Sequence, residues 1–572
     1  MSYLNFQSKY DRFPFVQVST SNQSLIKGYE AIVKTLSHIQ SGVIVFETYP
    51  GINQEILLEK VIKPLNPQRI IASEDFTISK TAYEKKIEPY LLEGRVFGVY
   101  SHQHIDDFYE MDQLQNVNQS IDHNQLTVIY GFGASLFDYD HLIMVSLTRW
   151  EIQLRYRRGL SNFKLDNPDE DKLMKYKRGY FVVWRVADRI KEAHNHRASY
   201  LIDLNDDHHP KMITQSDYQS CLDQALTQPF RLVPYFDPGV WGGQWMKEVC
   251  NLEPNETNYA WCFDGVPEEN SIRFAFGDDY ITFPAQDLVQ FRAKEFMGAR
   301  VFHRFGKHFP IRFDFLDTME GGNLSLQVHP QTDYIQETFG MTYTQDESYY
   351  ILDCHEDATV YVGVKENIDQ EKFEADLVEA NQGGKPFDDK KYINQIRVKK
   401  HDHILLPAGT IHCSGKNTMV LEISSCVYIF TFKLWDWGRL GLDGRPRPVS
   451  LEHGFKNIDY TRDTNFVMNE LINQFQPVSD DEEITGLHEY EFIETRRYSI
   501  TSNQPVIMKT NNIVNVCNLV EGKEMLVESL DGSFKPYIVH YAETFYIPAT
   551  INQVKFVSLD PNGCKVIKAM VK

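Results

Sequence analysis

The stretch from Gly321 to Glu347 constrains the fold of this chain more than any other. Within it, Gln327 and His329 lie two residues apart in an alternating run whose apolar members are Leu324, Leu326 and Val328. In a β-strand, residues two apart point to the same face of the sheet. The spacing therefore predicts a strand that directs one amide and one imidazole toward a common point.

Two later segments can bring further ligands to that point. Glu347 opens a strand-like run, ESYYIL, eighteen residues after His329. Pro407-Ala408-Gly409 is a tight-turn signal between apolar runs, and His412 follows it where the next strand begins. We expect Gln327, His329, Glu347 and His412 to converge.

Two imidazoles, one carboxylate and one amide oxygen form a ligand set that suits zinc with open positions for a substrate. Iron, manganese or cobalt could also be held, since the residues do not encode the identity of the metal. Any one of these histidines alone would more simply be a core or surface residue. The four residues together make a site for one metal ion per chain the better interpretation.

The order of these motifs is similar to that of type I mannose-6-phosphate isomerases, which are cupin-barrel enzymes. The resemblance rests on a QxHP strand, a downstream glutamate on a strand and a PxGxxH turn. It continues in flanking segments and covers residues 230–572; the segments are PYFDPGVWGGQWMKEV, HFPIRFDFLDT, VLEISS, TFKLWDWGR and DGRPRP.

The resemblance implies a zinc-dependent isomerase that interconverts mannose 6-phosphate and fructose 6-phosphate. It implies that the four residues named above hold one Zn²⁺ and that a sugar phosphate is the small-molecule partner. Ser325 matches a serine that lies near the sugar phosphate in the family.

The basic residues depart from the family pattern. Gln345 and Asp314 stand where the family typically has lysines, and Lys433 stands at its catalytic arginine. We expect Arg312, beside Asp314 on one strand face, to bind substrate together with Ser325, and Arg439 to act with Lys433 as a catalytic cation. Lys433 is expected to meet the reacting oxygens and Arg439 the phosphate.

These departures leave two alternative functions open. The chain could be a metal-containing cupin that acts on a different sugar. It could also be a sugar-phosphate sensor or scaffold that acts only by binding.

We predict three domains: an α/β domain over 1–215, a metal-binding cupin domain with a helical insertion over 230–475, and a C-terminal cupin-like β-barrel over 485–572. The insertion, EKFEADLVEANQGG, carries apolar residues at helical spacing, namely Phe373, Leu377 and Ala380. The last barrel should bind no metal, because Thr550-Ile551-Asn552 lacks the histidine of a PxGxxH turn.

The N-terminal domain resembles nucleoside-kinase-like P-loop proteins that have lost the catalytic loop. GVIVFETYPG over 42–51 predicts a buried strand and a turn, and EILLEKVI a helix. Asn53, Gln54 and Glu55 occupy the final glycine, lysine and hydroxyl positions of a P-loop. A carboxylate beside a phosphate is unfavourable, so we predict no functional ATP site.

Other segments of this domain also alternate between strand and helix. LTVIYGFGASL over 126–136 predicts a buried strand, and KRGYFVVWRVADRIKEA over 177–193 a strand that passes into a helix. RWEIQLRYRRG over 149–159 predicts a solvated basic helix face. The pairs His102/His104 and His194/His196 lack a third ligand nearby and are interpreted as exposed polar residues.

The whole-chain properties exclude several classes of partner. A formal net charge of -21 disfavours nucleic acid and acidic membranes. No run approaches the ~20 apolar residues of a membrane helix, and the start, MSYLNFQSKYDRF, has no secretory pattern. Eight dispersed cysteines are expected to be reduced thiols, which fits a cytoplasmic protein.

Overall fold

The computed structural model describes residues 2–19, 25–425, 428, 430–486 and 488–572. The chain divides into two compact units, each built from separate segments. The α/β unit comprises Phe15–Ala225 and Ser271–Phe291, and the β-rich unit comprises Met1–Pro14, Leu226–Asn270 and Arg292–Lys572.

A seven-stranded sheet forms the centre of the α/β unit. Its strands, in chain order, are β2 (Ile26–Lys27), β3 (Gly42–Thr48), β4 (Arg69–Ala72), β5 (Leu126–Gly131), β6 (His141–Ser146), β7 (Ala198–Asp203) and β8 (Lys211–Thr214). Their order in the sheet is β2-β8-β7-β6-β3-β5-β4, and the strands from β7 to β4 are parallel. Every residue of β3 is buried, as expected for a central strand covered on both faces.

A small sheet and nine α-helices complete the described part of this unit. The sheet joins β1 (Val16–Gln17), β11 (Ser271–Phe276) and β12 (Asp279–Pro284). The helices in the described residues are α1 (Tyr29–Leu36), α2 (Gln54–Leu57), α3 (Lys80–Ile87), α4 (Met111–Gln119), α5 (Arg149–Arg157), α6 (Lys172–Arg178), α7 (Trp184–His194), α8 (Gln215–Ala225) and α10 (Gln286–Phe291).

The segment 177–193 is helical throughout, so the strand predicted for its first half was wrong. A π-helical turn, Gly179–Val183, joins α6 directly to α7, and all five residues of that turn are buried. The side chains of Trp184 and Tyr176 pack edge to face beside it. A short apolar run is compatible with a buried helix as well as with a strand, which is why its periodicity misled us.

The basic helix α5 is not a solvated face along its whole length. Arg149 Nη2 donates to Asp188 Oδ2 over 2.6 Å, and Arg155 Nη2 donates to the carbonyl of Leu204 over 2.9 Å. Both guanidinium groups are buried, whereas Arg157 and its neighbour are exposed. The prediction therefore fails for the two arginines that are ion-paired inside the unit.

Two facing antiparallel sheets form the first barrel of the β-rich unit. One sheet has the order β18-β15-β20-β13-β10-β9, with strands β9 (Tyr235–Asp237), β10 (Trp261–Gly265), β13 (Arg312–Asp317), β15 (Glu347–Cys354), β18 (His403–Leu406) and β20 (Thr418–Ser424). The other has the order β17-β16-β19-β14-β21, with strands β14 (Leu326–Val328), β16 (Thr359–Val364), β17 (Ile393–Arg397), β19 (His412–Ser414) and β21 (Phe432–Trp435).

A second barrel follows in the chain and also has two sheets. The larger contains β22 (Gln476–Pro477), β23 (Glu482–Gly486), β24 (Ile493–Ile500), β26 (Asn515–Glu521), β29 (Thr544–Ile547) and β31 (Cys564–Val571). The smaller contains β25 (Val506–Lys509), β27 (Glu524–Ser529), β28 (Tyr537–His540) and β30 (Gln553–Ser558).

Helices of the β-rich unit lie between these strands. They are α9 (Trp245–Val249), α11 (Ala293–Met297), α12 (Ala299–Phe305), α13 (Thr332–Phe339), α14 (Gln370–Asn381), α15 (Asp389–Tyr392), α16 (Leu451–Phe455) and α17 (Thr464–Phe466). Helix α14 buries Phe373, Leu377 and Ala380, which confirms the spacing argument for that segment. Among the described residues, no helix is both long and apolar enough to span a membrane.

Candidate metal centre

Three strands of the first barrel bring the predicted ligands to its interior. Gln327 of β14 is paired with His412 of β19, and His329 follows β14 directly. Glu347 opens β15 in the facing sheet. Ligand atoms of His329, Glu347 and His412 lie within 4.8 Å of one another, and no other group of three or more His, Cys, Asp and Glu residues in the described chain meets this condition.

The geometry centres on the carboxylate of Glu347. Its Oε2 lies 2.5 Å from His329 Nε2, and its Oε1 lies 3.6 Å from His412 Nε2. The amide nitrogen of Gln327 lies 3.3 Å from His412 Nε2. All four side chains are buried, so the barrel isolates them from bulk water.

The outer nitrogens of both imidazoles are held by backbone carbonyls. His329 Nδ1 donates to the carbonyl of Phe430, and His412 Nδ1 donates to that of Thr410, each over 2.9 Å. Because a carbonyl accepts only, each ring carries its proton on Nδ1 and presents a lone pair on Nε2 when neutral. This is the orientation that second-shell contacts impose on metal-binding histidines.

Contacts from other segments of the same chain hold the turn before His412 in place. The Gly409 N–H donates to the carbonyl of His329 over 3.0 Å, and the positive φ of 92° at Gly409 suits a residue without a side chain. Arg462 donates to the carbonyl of Pro407 and to the hydroxyl of Thr410. The PxGxxH segment therefore positions His412, and its Gly409 also holds the backbone of His329.

The electrostatic state of the cluster suits a cation. Burial lowers the pKa of His412 to about 4, so this ring stays neutral near neutral pH. Burial acts to raise the pKa of Glu347, but the neighbouring His329 and His412 outweigh it and hold that pKa below its usual range. An ionised carboxylate beside imidazoles that direct Nε2 toward it is the donor set of a divalent metal site.

An unpartnered buried atom also fits a metal. Glu347 Oε1 makes no hydrogen bond to any described residue although it is inaccessible to water. A buried carboxylate oxygen is costly when it lacks a partner. Gln327 can complete the set, because turning its amide group would present the oxygen instead of the nitrogen.

Gln345 supports the ligand carboxylate. Its Nε2 donates to Glu347 Oε2 over 3.3 Å, and its Oε1 accepts from the N–H of Phe430 over 3.2 Å. The residue that departs from the family lysine thus orients a candidate ligand rather than adding a charge.

The barrel wall beside Glu347 is acidic. Arg312 lies opposite Ser424, and Asp314 lies opposite Glu422 in the paired strands β13 and β20. Arg312 Nη2 donates to Asp314 Oδ2 over 3.0 Å, so this predicted substrate cation is paired with its own neighbour. Burial raises the pKa of Asp314 to about 6 and that of Glu422 well above its usual range, with Glu347 adding to the second effect.

The remaining predicted residues fall into two places. Lys433 is half-buried on β21, opposite the candidate ligand Gln327. Ser325 Oγ donates to Asp436 Oδ1 over 2.7 Å, and Arg439 Nη2 donates to the same oxygen over 2.6 Å. Ser325 and Arg439 are therefore joined through Asp436, whereas Lys433 lies beside the candidate ligand Gln327.

Sequence reasoning missed Asp436, Arg447 and Glu422. Arg447 Nη1 donates to Ser325 Oγ over 3.0 Å and to both carboxylate oxygens of Asp436 over 3.1 Å. Glu422 carries a signal that could have been used, because a lone carboxylate in the buried run VLEIS is unusual. Arg447 lies in the segment DGRPRP that carries the resemblance, but its contact with Ser325, 122 residues away, could not be read from that segment.

His401 and His403, which precede the turn at Pro407, do not join the cluster. His401 Nδ1 lies 2.9 Å from the hydroxyl of Tyr350, and His401 Nε2 lies 2.8 Å from Glu521 Oε2. His403 Nδ1 donates to the carbonyl of Thr485 over 3.1 Å.

Comparison with known proteins gives separate matches for different parts of the chain. A family model described as a domain of unknown function, DUF8485, matches residues 28–227. The probable mannose-6-phosphate isomerase GmuF of Bacillus subtilis is 26% identical over 235 residues, which are 41% of this chain and 69% of that protein. The mannose-6-phosphate isomerase ManA of the same organism is 25% identical over 238 residues, with the same two shares.

A mannose-6-phosphate isomerase of Streptococcus mutans is 25% identical over 229 residues, covering 40% of this chain and 66% of that protein. Among solved structures, the mannose 6-phosphate isomerase of Bacillus subtilis aligns with a TM-score of 0.48 and 20% identity, over 60% of this chain and 99% of that one. A putative mannosephosphate isomerase of Archaeoglobus fulgidus aligns with a TM-score of 0.46 and 15% identity, over 60% and 97%.

Proposed function

We propose that the chain is a zinc-dependent aldose-ketose isomerase that interconverts mannose 6-phosphate and fructose 6-phosphate. The observation that carries the proposal is the convergence of His329, Glu347 and His412 inside the first barrel. Relatives named mannose-6-phosphate isomerases, at about a quarter identity, support the choice of reaction.

The reaction moves a proton from C2 to C1 through an enediol while the carbonyl passes from C1 to C2. A bound divalent ion would polarise the sugar carbonyl and stabilise charge on its oxygen. Lys433, paired across the strands with Gln327, is our candidate for the cation that meets the reacting oxygens. Glu422 is our candidate for holding a proton there, because it is buried and its pKa is raised.

A coupled assay on the purified full chain tests this proposal. Mannose 6-phosphate should be converted to fructose 6-phosphate by zinc-loaded protein, and dialysis against a chelator should abolish conversion until zinc is restored. Protein that holds one zinc per chain yet converts no mannose 6-phosphate would overturn the proposal.

One observation favours a second candidate, a metal-containing cupin that acts on another sugar. Gln345 and Asp314 replace two lysines of the family pattern, and both are engaged in the site, with Glu347 and Arg312 respectively. Turnover of an unphosphorylated aldose in preference to mannose 6-phosphate would support this candidate.

For the domain of unknown function we propose a kinase-like α/β domain that binds no ATP. Asn53 caps the helix after β3, and Gln54 donates to Glu74. The buried Glu47, near the end of β3, accepts from the N–H groups of Gly133 and Ser135 over 2.8 and 2.7 Å. These backbone donors therefore already bind a carboxylate and are not open to a phosphate.

Titration calorimetry with Mg-ATP should therefore give no saturable binding. A micromolar affinity that is lost in Gln54→Ala would contradict this part of the proposal.

A further inference from the structure

A phosphate dianion needs cationic and hydroxyl donors, and the acidic wall of the first barrel offers few. Asp314, Glu422 and Glu347 lie on neighbouring strands there, and the guanidinium of Arg312 is paired with Asp314. A phosphate placed against this wall would meet several carboxylates at once. If the substrate is a sugar phosphate, its phosphate must lie in another direction from the metal ligands.

That direction is defined by four side chains, which we call the Asp436 cluster: Ser325, Asp436, Arg439 and Arg447. Ser325 lies two residues before Gln327, which is roughly 7 Å along an extended strand. Asp436 directly follows β21, the strand that carries Lys433. The cluster therefore continues the same two strands that hold an amide ligand and the candidate catalytic cation.

The charges of the cluster leave one cation in excess. Two arginines share the single carboxylate of Asp436, at 2.6 Å from Arg439 and 3.1 Å from Arg447. Ser325 adds a buried hydroxyl that contacts Arg447 over 3.0 Å. An anion would restore neutrality.

The two arginines differ in how their donors are used. Arg439 donates through Nε to the carbonyl of Asp436, through Nη1 to that of Asn323 and through Nη2 to the Asp436 carboxylate, over 3.2, 2.7 and 2.6 Å. Arg447 uses Nη1 alone toward the described residues, and its side chain is 13% exposed. The Nε and Nη2 donors of one guanidinium match two oxygens of a phosphate.

We propose that Arg447, held by Asp436 beside Ser325, binds the phosphate of the sugar-phosphate substrate, and that Arg439 only positions Asp436. This inference rests on the proposed function for the identity of the substrate. It differs from the sequence-based expectation, in which Arg439 contacts the phosphate.

The test measures binding, so that it does not depend on turnover. Zinc-loaded full chain is titrated with mannose 6-phosphate, with inorganic phosphate and with mannose. Arg447→Met should lower the affinity for mannose 6-phosphate and for inorganic phosphate by about 10- to 100-fold, the effect of losing one charge-assisted interaction. Its affinity for mannose should match that of the wild type.

Arg445→Met is the matched control, because Arg445 is an exposed arginine of the same loop. It should bind all three ligands as the wild type does. Arg447→Lys keeps the charge without the two-pronged geometry and should lose affinity to a smaller extent. It also serves as the test variant should Arg447→Met fail to fold.

Two outcomes would overturn the inference: unchanged phosphate affinity in the Arg447 variants, or an equal loss for mannose, which would mean a structural role. Tighter binding of mannose 6-phosphate than of mannose without isomerisation would refute the proposed function and leave this anchor standing. Isomerisation by the wild type, together with an unchanged KM for mannose 6-phosphate in Arg447→Met, would refute this anchor and leave the proposed function standing.

Discussion

The two barrels of the β-rich unit share an architecture of two antiparallel sheets but differ in what fills the interior. The first barrel directs Gln327, His329, Glu347 and His412 inward at one place. The second is packed there with apolar side chains, among them Met508, Cys517, Leu519, Val527, Val539, Phe545, Val554, Phe556 and Val566.

The difference separates stability from function. A fully buried apolar side chain contributes ~1.5–3 kcal/mol to folding, whereas a buried carboxylate costs free energy until a partner compensates it. The first barrel thus gives up hydrocarbon packing at its centre in exchange for a ligand set. Among its described residues, the second barrel brings no such group of His, Cys, Asp and Glu together and can be packed as an ordinary core.

The largest effect should come from removing a candidate metal ligand of the first barrel. We expect His329→Ala and His412→Ala to reduce bound zinc from about one ion per chain to near zero and to abolish isomerisation, since each imidazole supplies one of few donors. Metal analysis after dialysis measures this. His540→Ala, in the second barrel, is the control and should leave the stoichiometry unchanged; an equal loss there would erase the distinction between the barrels.

The reciprocal change in the second barrel should affect stability alone. Phe545 is fully buried and packs edge to face against Phe556, with ring centroids 6.3 Å apart. Phe545→Ala should lower the free energy of unfolding by ~3–5 kcal/mol through lost burial and a cavity. Denaturant titration measures it, with metal content unchanged in the folded protein. Ile538→Ala, at an exposed position of the same barrel, should stay within ~0.5 kcal/mol.

Lys433 tests whether the first barrel is catalytic or only binds metal. Lys433→Met should lower kcat and kcat/KM together by ~10²-fold or more, because a cation at the reacting oxygens acts mainly in the transition state. Zinc content should be unchanged. Lys433→Arg, which restores the residue of the resembled family, should retain or raise activity. Wild-type kcat in Lys433→Met would remove this residue from the catalytic machinery.

The convergence of the candidate metal ligands was predictable from sequence because local geometry largely fixes it. Residues two apart on a strand, such as Gln327 and His329, share a face, and the turn around Gly409 needs only its own conformation and short contacts. The arginines were less predictable. Arg312 is paired with Asp314, and Arg439 with Asp436, so their availability depends on which donors the fold has already used.

The α/β unit illustrates the same limit in its fold. The central strand β3 was predictable because its first five residues, GVIVF, form an apolar run that can be buried on both faces. The helix through Gly179–Val183 was not, since β-branched and aromatic residues there suit a strand locally. Tertiary packing overrode that local preference. Packing also buried Arg149 and Arg155 in ion pairs, on a helix whose composition predicts a solvated face.

A smaller effect is expected from Gln345, which donates to Glu347 and is not itself one of the candidate ligands. Gln345→Ala removes a 3.3 Å hydrogen bond to Glu347 Oε2 and should weaken zinc binding by ~10–100-fold, the usual effect of a second-shell contact. Competition against a zinc chelator measures it. Gln336→Ala, at an exposed position on α13, should have no effect. Unaltered zinc affinity in Gln345→Ala would mean that backbone contacts alone position the carboxylate.

The smallest effect concerns a histidine of the first barrel that lies outside the metal cluster. Burial lowers the pKa of His403 to about 3, and Arg497 acts in the same direction. An unfolded histidine titrates near ~6.5, so between about pH 6.5 and 3 the unfolded chain binds a proton that the folded chain cannot. The free energy of unfolding should therefore fall as the pH is lowered through this window.

His403→Asn keeps a donor for the carbonyl of Thr485 but cannot take up the proton. Its unfolding free energy should decline less steeply than that of the wild type between pH 6.5 and 5, by ~2 kcal/mol over that interval. Denaturant titrations at three pH values give the two slopes, and comparing slopes removes the constant cost of the smaller side chain. Parallel slopes would show that His403 accepts its proton inside the fold, in which case the first barrel tolerates a buried charge away from its metal ligands as well as among them.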